Sequence, residues 1–246
     1  MLPRFYLKKN LINIENMVLP KDIVTHIYVK RLREKDSIEI IDGEGGVYIF
    51  LINAINKKQI TLNFLKNYTE SSTNRVKLNL AMAIIQNDKF DLVLQKSVEL
   101  GVDKIIPIIT QRTQGIKLDR LENKIEHWQK IIQNSACQCG QNILPVLSPV
   151  MLMNDFIINL NQNSKKYIFS VVNNLLKNNQ ESNLDIKEIN MLVGPEGGFT
   201  NDEENLAIAN GFVPIHLGNL VLRSETSAIA GISIMNTFFR NFIQGL

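Results

Sequence analysis

The stretch Met191-Leu-Val-Gly-Pro-Glu-Gly-Gly-Phe-Thr200 constrains the fold of this chain more than any other. Ile189 to Val193 reads as a buried strand, and it runs directly into a loop built from three glycines and a proline. Thr200 then starts a helix, because Thr200 and Glu203 have the S/T-x-x-E spacing of a capping box. Gly211 follows at the place where a left-handed terminating residue is needed. Strand, close-approach loop and helix form the local geometry in which open α/β sheets bind ligands at the carboxyl ends of their strands. The loop is not a dinucleotide fingerprint, since G-x-G-x-x-G is absent, and no Gly-Lys-Ser/Thr follows to make a P-loop. Taken alone it fits a plain turn as well as a site, and it names no ligand.

From Val76 onward the pattern alternates strands with helices. Val76–Ile85, Lys104–Ile109, Leu144–Leu147, Tyr167–Val172, Ile189–Val193 and Phe212–Leu217 read as strands. Asp88 is placed to cap a helix running to Leu100, and a long helix is expected over Asp119–Gln138. Such alternation argues for a parallel sheet covered on both faces. Pro107 inside its strand demotes that strand slightly. The Asn/Lys-rich Asn173–Glu188 region reads as an exposed loop. The last helix, Ser224 to Phe242, carries Ile229, Ile232, Ile234, Met235 and Phe238 too widely spread for one face. It is expected to pack on two sides, against the core and against a partner subunit.

Residues 1–70 follow a different grammar. Arg4–Leu7, Ser37–Ile41, Val47–Ile55 and Gln59–Leu65 read as strands, the middle two joined as a hairpin by Asp42-Gly-Glu-Gly-Gly46. Asp22–Leu32 reads as a helix capped by Asp22. A small antiparallel unit of this kind is expected to curl into a barrel. Residues 67–75 are polar and aperiodic, so the domain boundary is placed there, giving domains 1–70 and 76–246.

Charge sharpens the division. The first 70 residues hold 11 Lys+Arg against 8 Asp+Glu, whereas the remainder hold 16 of each, so the whole surplus of +3 lies in the smaller part. That is the electrostatic footprint of a polyanion partner. Its basic residues include Arg4, Lys8, Lys9, Lys30, Arg31, Arg33 and Lys35, with His26 one helical turn before Lys30. A phosphate-contacting surface and a solvated basic face both fit this pattern. No apolar run approaches the ~18 residues of a membrane span, and the N-terminus lacks the apolar core of a signal peptide. A cytoplasmic protein is expected. Cys137 and Cys139 are too close for an unstrained disulfide, and His26, His127 and His216 are far apart, so no metal site is expected.

A second junction, Leu217-Gly-Asn-Leu-Val-Leu-Arg-Ser-Glu-Thr226, repeats the grammar of the first: a strand ends, Gly218 permits close approach and a helix begins near Ser224. The two junctions are expected side by side at one sheet edge, with the apolar Leu220–Leu222 run suited to a flat aromatic group. Arg223 at a helix start is disfavoured by the dipole unless an anion is near, while Glu225 complements it. No nucleophile–base pair, carboxylate pair or Asp cluster is evident. The chemistry is therefore expected from a bound cofactor that the protein positions. A nucleotide-linked oxidoreductase is disfavoured by the missing fingerprint.

The ordered set of Pro3-Arg-Phe5, His26 with Val29-Lys-Arg-Leu-Arg33, Asn87-Asp-Lys-Phe-Asp91, Lys96-Ser-Val-Glu-Leu-Gly-Val102, Pro107 with Thr110-Gln-Arg112, His127-Trp128, Gln138-Cys-Gly140, Gly194–Gly198 and Leu217-Gly218 with Leu222-Arg-Ser-Glu-Thr226 carries a resemblance. The chain resembles the ribosomal RNA small subunit methyltransferase E family, the 16S rRNA uridine N3-methyltransferases of the SPOUT superfamily. That resemblance implies a PUA-like barrel that grips RNA, then a SPOUT α/β domain with a deep trefoil knot. It implies S-adenosylmethionine held by Leu192, Gly194, Pro195, Glu196, Gly197, Gly198, Leu217, Gly218, Leu222, Ser224 and Thr226. Catalysis would fall to Arg223 and Glu225. RNA contacts would come from Arg4, His26, Lys30, Arg31, Arg33 and Arg112. The partners implied are 16S ribosomal RNA or the small ribosomal subunit, and a second copy of the chain in a homodimer. Gln141 stands where the family usually has Arg, which leaves room for a non-catalytic RNA-binding assembly factor of the same fold. Asn87 and Ser227 are the other departures.

Overall fold

The computed structural model describes residues 2–15, 17–56, 59–70, 75–114, 121–170 and 186–241. Lys57, Lys58, residues 71–74 of the expected linker, Asp119, Val171, Val172, most of the Asn173–Glu188 loop and Phe242 lie outside them. The chain divides into two units, residues 1–73 with 133–144, and residues 74–132 with 145–246.

The first unit contains β1 (Arg4–Tyr6), α1 (Lys21–Val29), β2 (Ser37–Ile41), β3 (Gly46–Asn56) and β4 (Gln59–Thr69). They form one sheet in the order β1-β2-β3-β4. The hairpin expected from the Gly-rich turn is present, with Ile41 opposite Val47. Asp42 shapes that turn, its Oδ1 accepting from the Glu44 and Gly46 amides at 2.8 Å each. β1 pairs parallel to β2, and among the described residues no pairing joins β1 to β4 to close a barrel. Ile23 and Ile27 of α1 pack with Phe5, Ile38, Ile40, Phe50, Ile52 and Ile60. Two details differ from expectation. Pro20 occupies the N-cap of α1, and Asp22 sits inside the first turn, where its carboxylate complements the dipole without capping. The helix ends at Val29, and the Arg31 backbone turns left-handed (φ 55°). Residues 133–144 join this unit through the hairpin loop: the Gly45 amide donates to the Asn142 carbonyl (3.2 Å) and Asn142 Nδ2 donates to Glu70 Oε2 (2.6 Å).

The second unit is built on β5 (Lys77–Ala83), α2 (Asn87–Glu99), β6 (Lys104–Ile109) and the first turns of α3 (Leu121–Cys139). It continues with β7 (Val146–Leu147), β8 (Met151–Leu152), α4 (Met153–Ile158), β9 (Lys165–Phe169), β10 (Glu188–Val193), α5 (Asn201–Ala209), β11 (Val213–Ile215) and α6 (Ser224–Asn236). The sheet order is β11-β9-β10-β5-β6-β7, with β8 also on β6, and every pairing within it is parallel. Both faces are covered. Ala81, Ala83, Ile168 and Leu192 pack with Phe156 of α4 and Ala207 of α5, while α6 lies against β5, β10 and α2. Continuous burial from Leu78 to Ala83 is what a doubly covered parallel strand requires.

Three expectations change here. Asn87 opens α2 with Gln86 as N-cap, so Asp88 is a first-turn acid and not the cap. β6 is an internal strand despite Pro107. Its outer partner is split, with β7 on Lys104–Ile105 and β8 on Ile108–Ile109, and Pro107 falls in the gap where no N–H is called for. The strands leading into the two glycine junctions are not neighbours, because β9 lies between β10 and β11.

α6 is followed by one π turn, Thr237–Asn241, that carries Arg240. Its buried guanidinium donates to the Val76 carbonyl from Nε (2.8 Å), to the Gly101 carbonyl from Nη1 (2.6 Å) and to Asp103 from Nη2. Burial lowers the Arg240 pKa and the Asp103 charge opposes that shift. This anchor fixes the far end of the helix that presents Ser224 and Ser227.

Candidate functional site

The parallel strands β9, β10 and β11 end at one edge, and the segments leaving them enclose a cleft of about 240 Å³. Val193 and the Gly194–Phe199 loop form one wall, with Phe169 and Ser170 from the end of β9 beside them. Ile215 to Leu217, Leu220 to Leu222, Ser224 and Ser227 close the other side.

The loop is held by specific bonds. The Gly198 amide donates to the Pro195 carbonyl at 2.9 Å, a tight turn with Gly198 left-handed at φ 68°. An added Cβ at Gly198 would meet no protein atom within 4 Å. Packing therefore does not demand glycine there; the backbone angle does, and the space beyond remains open for a ligand. Arg112 clamps the loop, its Nη1 donating to the carbonyls of Gly197 (2.6 Å) and Phe199 (3.1 Å). Glu196 reaches back to the Gln86 amide (3.3 Å) and pairs with Lys89 at 3.6 Å.

Downstream, α5 opens with the capping box read from the sequence. Thr200 Oγ1 accepts from the Glu203 amide (3.3 Å), and Glu203 Oε2 accepts from the Thr200 amide (2.9 Å). Glu203 is buried and its second oxygen takes the Gln111 amide at 2.8 Å. Thr200→Ala should cost about 1 kcal/mol. Glu203→Ala should cost more, because it strands two amides at roughly 1–3 kcal/mol each. Urea unfolding of the two variants tests that order, and equal losses would contradict it.

Two carboxylates, Glu196 and Glu204, belong to the cleft wall itself. Glu204 accepts from Ser170 Oγ at 2.5 Å. Leu220 and Val221 are 79% and 82% exposed, an apolar lip with no protein cover.

Of the expected cofactor residues, Gly194, Pro195, Glu196, Gly197, Gly198, Leu217, Leu222 and Ser224 come together at this cleft. Leu192, Gly218 and Thr226 are not part of its wall, nor are Arg223 and Glu225. Leu192 is fully buried in the core, on the opposite face of β10 from its neighbour Val193. Arg223 is exposed at the N-cap of α6 and makes no ion pair among the described residues. Glu225 is buried, and its Oε2 has no hydrogen-bond partner among those residues. The two charges do not pair with each other. Phe169, Ser170, Glu204 and His216 are wall residues that the sequence reading did not single out.

The expected RNA-contact residues are scattered. His26, Lys30, Arg31 and Arg33 are exposed. Arg4 is 7% exposed in its side chain and uses Nε (2.8 Å) and Nη2 (2.7 Å) on Glu39. Arg112 uses Nη1 on the glycine loop, as described above. Among the described residues no group of His, Cys, Asp and Glu is placed to hold a metal ion, and no helix is long and apolar enough to cross a membrane.

Comparison with known proteins places this geometry. Residues 72–236 match the RNA methyltransferase domain family, and residues 19–65 match the RNA methyltransferase PUA domain family. Over 245 residues the chain is 32% identical to the ribosomal RNA small subunit methyltransferase E of Buchnera aphidicola subsp. Acyrthosiphon pisum, covering 98% of this chain and 95% of that protein. The structure is similar to that of a ribosomal RNA small subunit methyltransferase E from Neisseria gonorrhoeae bound to S-adenosyl methionine, with TM-score 0.86 and 31% identity over 97% of this chain and 98% of the other. It is also similar to a putative methyltransferase of Legionella pneumophila in complex with the same cofactor, with TM-score 0.87 and 27% identity over 96% and 98% of the two chains.

Proposed function

The chain belongs to the ribosomal RNA small subunit methyltransferase E family, and from that premise we propose that it methylates N3 of a uridine in small-subunit ribosomal RNA, using S-adenosylmethionine. The observation that carries this reading is the single cleft at which the Gly194–Gly198 loop and the Leu217–Leu222 segment meet. The residues present fit the donor. Open space beyond Gly198 admits a ligand against bare backbone, Leu220 to Leu222 offer an apolar surface to a flat base, and Glu204 complements a cation. S-adenosylmethionine supplies an electrophilic methyl group on a positively charged sulfur.

The protein's own task is to make N3 a nucleophile. A neutral imide nitrogen is a poor one, so the N3 proton must leave and the negative charge spread over the uracil oxygens must be stabilised. Arg223 takes the second role. It is exposed, unpaired among the described residues and set at the start of α6, where the dipole disfavours a cation without an anion beside it. Glu225, buried with one unpartnered oxygen, is the nearest carboxylate in sequence and the candidate proton acceptor. Leu192, Gly218 and Thr226 each adjoin in sequence a residue of the cleft wall, namely Val193, Leu217 and Ser227. The site is completed in a homodimer, for which the exposed Ile234 of α6 and Phe238 of the π turn that follows it offer apolar surface.

At the domain level, residues 1–70 act as a PUA-like barrel-type module and residues 76–246 as a SPOUT domain. The return of the chain from edge strand β11 to α6 on the central strands supports a knotted C-terminal part. The place of action is the cytoplasm, on 16S RNA or the small subunit. His26, Lys30, Arg31 and Arg33 make phosphate contacts, joined by Arg4 and Arg112 through their remaining donors. RNA affinity should then fall steeply with salt, with a log–log slope of roughly −0.7 per phosphate neutralised on a single strand. A flat salt response would remove the phosphate contacts from the account. Calorimetric titration with S-adenosylmethionine tests the cleft, since absence of both heat and thermal shift would favour a non-catalytic RNA binder.

A further inference from the structure

Three parts of the sequence that the methyl-transfer cleft leaves unused line one cavity within the first unit. The start of β1 brings Arg4, α1 brings His26 and Lys30, and the last turns of α3 bring Gln133, Cys137 and Gln138. The cavity measures about 450 Å³, inside the range of roughly 300–1,000 Å³ for small-ligand sites.

Its chemistry is divided. His26 and Lys30 are exposed and one helical turn apart, with the Lys30 amide bonded to the His26 carbonyl at 2.9 Å, so both side chains share a face of α1. Opposite in character, Gln133, Asn134 and Gln138 carry side-chain amides, each with donors and an acceptor. Burial pushes the Cys137 thiol up to about 12, so it remains a neutral wall. Asp22 is the one carboxylate in the lining. Arg4 has a further property: with Nε and Nη2 on Glu39, its buried Nη1 has no acceptor among the described residues. A buried guanidinium N–H without an acceptor is costly, and an incoming oxygen relieves it.

Cationic donors beside neutral amides suit a ligand that is anionic at one end and polar but uncharged at the other. We propose that this cavity is a subsite for one unstacked nucleotide of single-stranded RNA, its phosphate against Arg4, His26 and Lys30 and its base edge against Gln133 and Gln138. The proposal rests on the reading of the chain as an RNA methyltransferase, and adds to it a place in the first unit where base identity is sensed.

The test uses the full chain and two fluorescent probes of equal length, an oligouridylate and an abasic oligoribonucleotide, at fixed ionic strength. Lys30→Ala should weaken both probes by a similar factor. Gln138→Ala should weaken only the base-bearing probe, by about fivefold or more. Lys21→Ala, on α1 but outside the cavity, should not separate the probes. Uridine monophosphate should displace the oligouridylate better than inorganic phosphate does. Equal affinity for both probes in every variant, no binding of either, or equal displacement by phosphate each overturns the subsite. S-adenosylmethionine binding by the same preparations separates these outcomes from failure of the methyltransferase reading itself, which would abolish that binding in the wild-type chain. Lys30 and Gln138 are exposed, so unchanged melting temperatures are expected and make the comparison clean.

Discussion

Replacing Arg223 with alanine is expected to lower turnover by about 10²–10³-fold, the loss seen when a single donor to a developing oxyanion is removed. The side chain is exposed and caps no backbone group, so folding should be untouched. S-adenosylmethionine affinity should also hold, since Arg223 is not part of the cleft wall. The signature is therefore a fall in kcat with unchanged donor binding and unchanged melting. Arg223→Lys should recover only part of the activity, because a point charge replaces a planar fork of donors. An Arg223→Ala enzyme with wild-type turnover would falsify the electrostatic assignment.

The second large effect is expected from Gly231, a residue that touches no ligand. It sits inside α6, where alanine normally stabilises by about 1 kcal/mol over glycine. Here an added Cβ would lie 2.5, 2.8 and 3.0 Å from three ring atoms of Phe169. Phe169 is 7% exposed and lines the cleft, so the cleft is the open direction in which the ring can yield. Gly231→Ala should therefore lose the helix-propensity gain to overpacking, which typically costs about 1–3 kcal/mol. It should also weaken S-adenosylmethionine binding by about tenfold or more, equivalent to ~1.4 kcal/mol. Calorimetry checks the affinity and urea unfolding the stability. Adding Phe169→Leu should restore part of both, as expected for two residues in contact. A Gly231→Ala protein that is more stable and binds the donor normally would show that the helix can shift to accommodate the methyl.

Much of this arrangement was legible in the chain. Thr200 and Glu203 announced a capping box three residues apart, and local hydrogen bonding sufficed to form it. The Gly194–Gly198 and Leu217–Leu222 segments were found because glycines after an apolar run mark close approach. Long-range pairing was harder. Nothing in β9 states that it lies between β10 and β11, so Phe169 and Ser170 were invisible as cleft residues. Pro107 weakened the reading of its strand because a missing N–H is usually excluded from a sheet interior, yet the divided partner of β6 leaves that position without need of a bond. Asp22 and Asp88 read as caps because acids favour the first turn, but first-turn acids and N-caps differ by a residue or two and respond to the same dipole. The grouping of residues 133–144 with the first unit depends on contacts such as Asn142 to Glu70, which no local pattern encodes. Arg4 and Arg112 were expected on RNA, since an acceptor such as Glu39 or a loop carbonyl is identified only by the fold.

The central claim is that the cleft delivers a methyl group to the pairing face of a uracil. Methylation at N3 blocks Watson–Crick pairing and arrests reverse transcriptase. The direct measurement is to incubate the protein with unmodified small-subunit RNA or subunits and methyl-labelled S-adenosylmethionine, then extend a primer across the RNA. The account predicts label in the RNA and arrest at a single uridine, both lost in Arg223→Ala. Binding of S-adenosylmethionine without label and without arrest would contradict it.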